Sequence, residues 1–142
     1  MARYKLHMWP TYIVFGLLFF LIFSCENDDN GTGPRADLLQ ELEGSWVLGS
    51  VINDNQNVTT QFNNFQLNIT LSQEFTTENG GNAWPSSGKF EIIDNDLLER
   101  DDGVNLWLEI SSEGLTISFN KMNTSSRQKG ITGDFIFFLI KK

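Results

Sequence analysis

The stretch Asn105-Leu106-Trp107-Leu108-Glu109-Ile110-Ser111-Ser112-Glu113-Gly114-Leu115-Thr116-Ile117-Ser118-Phe119-Asn120 decides the fold class. Leu106, Leu108 and Ile110 alternate with Asn105, Trp107 and Glu109. Leu115, Ile117 and Phe119 alternate with Thr116, Ser118 and Asn120. An extended chain turns successive side chains to opposite faces, so each run offers one face to a core and one to water. Glu113-Gly114 between them is a turn signal, and the whole reads as a hairpin. Upstream, Phe65, Leu67, Ile69 and Leu71 repeat the pattern against Gln66, Asn68, Thr70 and Ser72.

Further strands are expected over 46–53, 74–78, 88–93, 97–101 and 131–141, with turns at Asn79-Gly80-Gly81, Asp94-Asn95-Asp96 and Asp102-Gly103. About eight short strands at roughly 12-residue spacing predict an all-β chain. The tight turns favour neighbour-to-neighbour pairing, hence an antiparallel up-and-down barrel. Before it, residues 36–43 place Leu38, Leu39 and Leu42 on one helical face, with Asp37 as N-cap and Gly44 as stop. A short N-terminal helix is therefore expected. The last strand, Phe135-Ile136-Phe137-Phe138-Leu139-Ile140, is apolar on both faces. It is expected to close the barrel against the first strand, with the helix covering its outer face. A partner-binding surface would show the same pattern.

The N-terminus carries an address. Arg3 and Lys5 precede an apolar run over 12–24, too short for the ~20 residues of a membrane-spanning helix. This is the plan of an export signal. Leu21-Ile22-Phe23-Ser24-Cys25 resembles the lipobox of bacterial lipoproteins, which implies that Cys25 is acylated and begins the mature chain. The implied layout is a signal peptide over 1–24, an acidic flexible tether over 25–36 and a domain over 37–142. Multiple acyl chains on Cys25 would anchor the protein to the membrane, where one alone binds only marginally. The acidic tract after Cys25 resembles the surface-export tract of Bacteroidota-type lipoproteins. It also reads as a plain solvated spacer. The expected location is the cell envelope, lipid-anchored at the outer membrane on its periplasmic or outer side.

Composition excludes several kinds of chemistry. Losing Arg3 and Lys5 takes the net charge from −8 to about −10, which argues against nucleic acid as a partner. Cys25 is the only cysteine, so an intramolecular disulfide is impossible. His7 is the only histidine and lies in the signal. The mature chain would have neither imidazole nor free thiol, which removes Ser-His and Cys-His nucleophiles and the usual zinc sites. A non-enzymatic protein without cofactor or metal is expected.

A short helix running into Gly44-Ser45-Trp46 at the first strand, followed only by β-meander, resembles the lipocalin and calycin barrels. Asn64-Phe65-Gln66-Leu67, Trp84-Pro85-Ser86-Ser87-Gly88, Arg100-Asp101-Asp102-Gly103 and the segment 130–137 look like the small lipocalin-like domains of exported bacterial lipoproteins. The resemblance implies that Trp46 plugs the closed end of the barrel, beneath a basic residue of the last strand. That strand holds no arginine, and Arg127 precedes it, so the partner stays open. Eight strands make a barrel that its own side chains can fill or that can hold one small ligand.

Two groups of residues invite a functional reading. Asp94, Asp96, Glu99, Asp101 and Asp102 lack the spacing of a calcium loop and read as two hairpin turns. Trp84, in a Gly/Pro/Ser loop, and Trp107, on the polar register of its strand, could stack on a ligand at an open barrel end. The alternative is that Trp84 caps the core and Trp107 packs under the helix. The functional expectation is a non-catalytic lipoprotein binding a small apolar ligand. The alternative is an accessory envelope protein whose filled barrel binds protein partners.

Overall fold

Alternation becomes strand pairing throughout the computed structural model, which describes residues 34–122 and 132–142. The signal, Cys25, most of the tether, Arg127 and residue 131 lie outside the described residues. A helix, α1 (Pro34–Leu42), leads directly into nine strands. They are β1 (Gly44–Asn53), β2 (Gln56–Asn57), β3 (Gln66–Ile69), β4 (Glu74–Glu78) and β5 (Ser87–Asp94). β6 (Leu97–Arg100), β7 (Asn105–Ser111), β8 (Gly114–Lys121) and β9 (Gly133–Lys141) complete the set. β1 and β3 to β9 each pair with the next in antiparallel fashion, and β9 returns to β1. The result is a closed eight-stranded barrel, with β2 as an extra strand on the end of β1.

The expected strands are present; β4 keeps its expected ends and the others shift by a residue or more. β3 stops at Ile69, because Thr70 to Glu74 form a turn in which the Thr70 amide donates to the Glu74 carbonyl at 3.0 Å. Leu71 therefore leaves the alternating run and is 56% exposed. The helix begins at Pro34, taking in residues that composition assigns to the tether. Proline is favoured at a helix start, where its missing N–H costs nothing. Asp37 thus lies in the first turn rather than at the N-cap, where its charge still complements the helix dipole.

The seam between β1 and β9 runs from Trp46 opposite Lys141 to Asn53 opposite Phe135. A β-bulge interrupts it between Leu48 and Ser50. The extra residue lets Trp46 and Val51, five positions apart, both face inward at 3% and 0% exposure. Gly49 sits at the bulge, where a Cβ would meet the Phe138 ring at 2.6 Å. The last strand does close the barrel, as its pattern implied. Its outer face is not covered by α1, however: Ile136 and Ile140 are 42% and 45% exposed. The helix turns Leu38 and Leu42 into the core instead.

Phe62 reaches the core from a 3-10 turn (Thr59–Phe62) that follows the β1–β2 hairpin. The hairpin turns on Asp54 and Asn55, both with left-handed backbones, φ 47° and 64°. Asx residues tolerate that region best after glycine, so Asp-Asn is a turn signal even without glycine.

Gly114 opens β8 beneath the β9 backbone, where a Cβ would overlap the Leu139 carbonyl oxygen. Gly114→Ala is expected to destabilise the fold by about 2 kcal/mol or more, since a clash against backbone cannot relax through a rotamer. Urea unfolding checks this. An unchanged midpoint would contradict the β8–β9 register.

Candidate functional site

The barrel interior is built from the inward positions of every long strand. Around Trp84 they form an aromatic cluster. Its indole meets Phe75, Phe119 and Phe137 edge-on at 5.8, 5.4 and 6.0 Å, and Phe65 at a tilt at 6.1 Å. Phe119 in turn stacks on Phe135 and Phe137 at 5.4 and 5.8 Å. Such contacts add about 0.5–1.5 kcal/mol each beyond burial.

The β4–β5 loop holds Trp84 there through its backbone. Ala83 and Trp84 amides donate to the Gly80 carbonyl at 3.2 and 3.1 Å. The Thr77 amide donates to Ser86 O at 2.8 Å, and its hydroxyl to Pro85 O at 2.7 Å. The loop therefore folds inward and seats its tryptophan at 4% exposure.

One charge shares this interior. Arg100, 2% exposed, lies with its guanidinium 5.0 Å from the Trp84 ring centroid and 5.6 Å from that of Phe119. Asp102 neutralises it through a two-pronged pair, Nε–Oδ1 at 2.9 Å and Nη2–Oδ2 at 2.5 Å. Arg100 Nη1 and Trp84 Nε1 find no hydrogen-bond partner among the described residues. For the guanidinium, the aromatic faces of Trp84 and Phe119 supply a compensating attraction. Burial works to raise the Asp102 pKa, but the Arg100 hydrogen bonds and charge outweigh it and leave the carboxyl below its ordinary value. Burial, then the Arg100 charge, lowers the Lys121 pKa, with Asp102 opposing.

At the start of β1, Trp46 is 3% exposed and its indole N–H donates to Leu42 O at 2.8 Å. Lys141 of β9 lies with its ammonium 5.2 Å from the Trp46 ring and donates to Glu41 O at 3.1 Å. Lys141 is in phase with Phe135, Phe137 and Leu139, so alternation places it on the inward register of the last strand. A search confined to arginine misses it. Arg100, inside the strand expected over 97–101, is likewise in phase with Leu98, so the same alternation turns it inward.

Among the described residues, the space left inside is small. The void among Leu42, Leu67, Phe75, Trp84, Leu106 and Ile117 is about 10 Å³. That is at the lower limit for one water and far below the roughly 300 Å³ of a small-molecule pocket. Two open grooves of about 380 Å³ lie elsewhere, one along Lys89, Glu91, Glu99 and Asp101, the other along Glu41, Trp46, Glu113 and Lys141. Trp84 and Trp107 are not brought together. Trp84 is inside the wall and Trp107 outside it, 53% exposed and not packed under the helix.

Of the carboxylates of 94–102, Asp94, Asp101 and Asp102 make local contacts. Asp94 accepts from the Asn95 amide at 2.8 Å, and Asp101 from the Lys89 amide at 3.1 Å. No group of three potential metal ligands occurs among the described residues. No protein-family model, curated protein or solved structure matches this chain.

Trp84→Ala is expected to cost about 3–5 kcal/mol, and Trp107→Ala less than about 0.5, because only the first opens a cavity. Equal losses in thermal unfolding would contradict the placement of the two rings. Asp102→Asn leaves a buried guanidinium without its counter-charge and should cost about 2 kcal/mol at pH 7, discounted for the exposed half of the pair. Since the folded carboxyl is the stronger acid, this contribution is full above about pH 4 and is lost as pH falls through the lower folded value. A wild-type and Asp102→Asn stability difference that persisted unchanged to pH 2 would contradict the pairing.

Proposed function

We propose that the chain is an exported lipoprotein, acylated at Cys25 and held at the cell envelope. Its lipocalin-like barrel works without catalysis, through its surface, on a protein partner. The observation that carries this reading is the filled interior. An eight-stranded barrel has room for one ligand only if its side chains leave it, and here the aromatic cluster, Leu42 and Arg100 occupy that volume.

The lipocalin-like reading draws on Trp46 and Lys141. An inward tryptophan of Gly-x-Trp on the first strand lies against a basic side chain of the last, with the helix carbonyl of Leu42 bonded to its indole. The resemblance implies that arrangement. It supports kinship of architecture, and function is argued from the site rather than from the fold.

Two measurements test the reading. Labelled fatty acid should enter the wild-type protein in its native cell and be absent from Cys25→Ser. Retention of label in the variant would end the lipoprotein assignment. The wild-type protein, extracted from its own envelope in mild detergent, should give a native mass equal to acylated polypeptide alone. A further discrete mass of small-molecule size, released on denaturation, would restore the reading of a barrel that binds a small apolar ligand.

A further inference from the structure

Strand register assembles a row on the outside of the barrel that is apolar at four of its five positions. Leu97 of β6 pairs with Trp107 of β7, Trp107 with Ser118 of β8, Ser118 with Ile136 of β9, and Ile136 with Ile52 of β1. All five are on the outward register. Trp107 and Ile136 are 53% and 42% exposed, and the others are partly exposed. Five adjacent strands make the row ~19 Å wide. Phe138, two residues along β9 from Ile136, extends it toward Ile140, another exposed side chain. An outer face that gathers Leu97, Trp107, Ile136 and Ile52, with Ser118 between the two exposed anchors, marks an interaction site more often than a scatter of single exposed residues does.

Among the described residues of β5 to β9, the charged side chains flanking the row are acidic. Asp94 pairs with Leu97 at the end of the row. Glu99, Glu109 and Asp134 lie two residues along the strand from Leu97, Trp107 and Ile136, on the same outward face, and all are exposed. The outward positions of β6 to β9 carry no lysine or arginine. An apolar centre with a tryptophan anchor, inside a charged rim, is the anatomy of a protein interface. The acidic rim repels anionic headgroups and also a second copy of this chain, whose net charge is −8. It attracts a partner of opposite pattern.

We propose that this face, centred on Trp107 and Ile136, docks a protein segment whose apolar contact residues are flanked by lysine and arginine. The inference rests on the surface-binding reading above and names its surface and partner chemistry. The occupied face sits on strands that the barrel holds rigidly, so the patch is presented without the ordering cost of a loop.

The test uses the full chain in its native cell, with a photo-crosslinking phenylalanine analogue replacing Trp107 or Ile136, or Thr76 on the exposed face of β4 as control. The expected result is one discrete protein adduct from positions 107 and 136 and none from 76. The crosslinked peptide should be apolar with flanking basic residues. Glu109→Lys with Asp134→Lys should abolish the adduct while leaving the circular dichroism of the purified protein unchanged. A lipid adduct, an adduct to a second copy, a partner peptide without basic flanks, or adduct yield indifferent to charge reversal would each overturn the proposal. Loss of the adduct in a protein that still takes up fatty acid and shows a bare native mass would refute this surface alone.

Discussion

An eight-stranded barrel encloses a space just wide enough for side chains, and this chain fills it from two directions. Inward residues of the strands supply the wall. The remaining volume is closed by side chains that arrive from outside the strands: Leu42 from α1, Phe62 from the 3-10 turn and Trp84 from the β4–β5 loop. Trp84 matters most, because its ring touches aromatic residues from four different segments and carries the Arg100 guanidinium on its face. The loop hydrogen bonds through Gly80, Thr77 and Ser86 exist in the service of that placement. With Trp84 seated, a buried charge becomes tolerable, and with Arg100 buried, Asp102 is fixed at the mouth beside it.

The outer surface is organised by the same register that organises the interior. Every inward phenylalanine of β9 implies an outward isoleucine or phenylalanine beside it, since the strand is apolar at consecutive positions. The chain thus carries more apolar surface than its core consumes. Trp107 stands in the same relation to Leu106 and Leu108. Ordinary solubility would place polar side chains at those outward positions, and the carboxylates that surround them supply that polarity at the margin instead.

Much of this architecture was legible in the alternation of Phe65 to Ile69, Leu106 to Ile110 and Leu115 to Phe119, because period-two patterning and turn chemistry point to the same answer. The helix was legible in its leucines, but not its first turn, since Pro34 and Arg35 have no apolar periodicity to report it. The β1–β2 hairpin and the 3-10 turn were hidden for a related reason. Asp54-Asn55 is a turn without glycine, and Phe62 is one apolar residue in a polar segment. The site was harder still. Whether Trp84 points in or out depends on loop hydrogen bonds with no periodic signature, whereas Arg100 and Lys141 could have been found by extending strand phase to basic residues.

The seam of the barrel also dictates the order of assembly. Val47 pairs with Ile140, about 90 residues later, so the first and last strands are each other's neighbours. Joining such distant segments carries a loop-closure cost that local hairpins do not, which makes closure a slow step of folding. While the final strand is still undelivered, β1 and β8 each lack the neighbour that β9 provides. A chain of this topology therefore stays open until β9 is in place, and until then two strand edges stand unpaired.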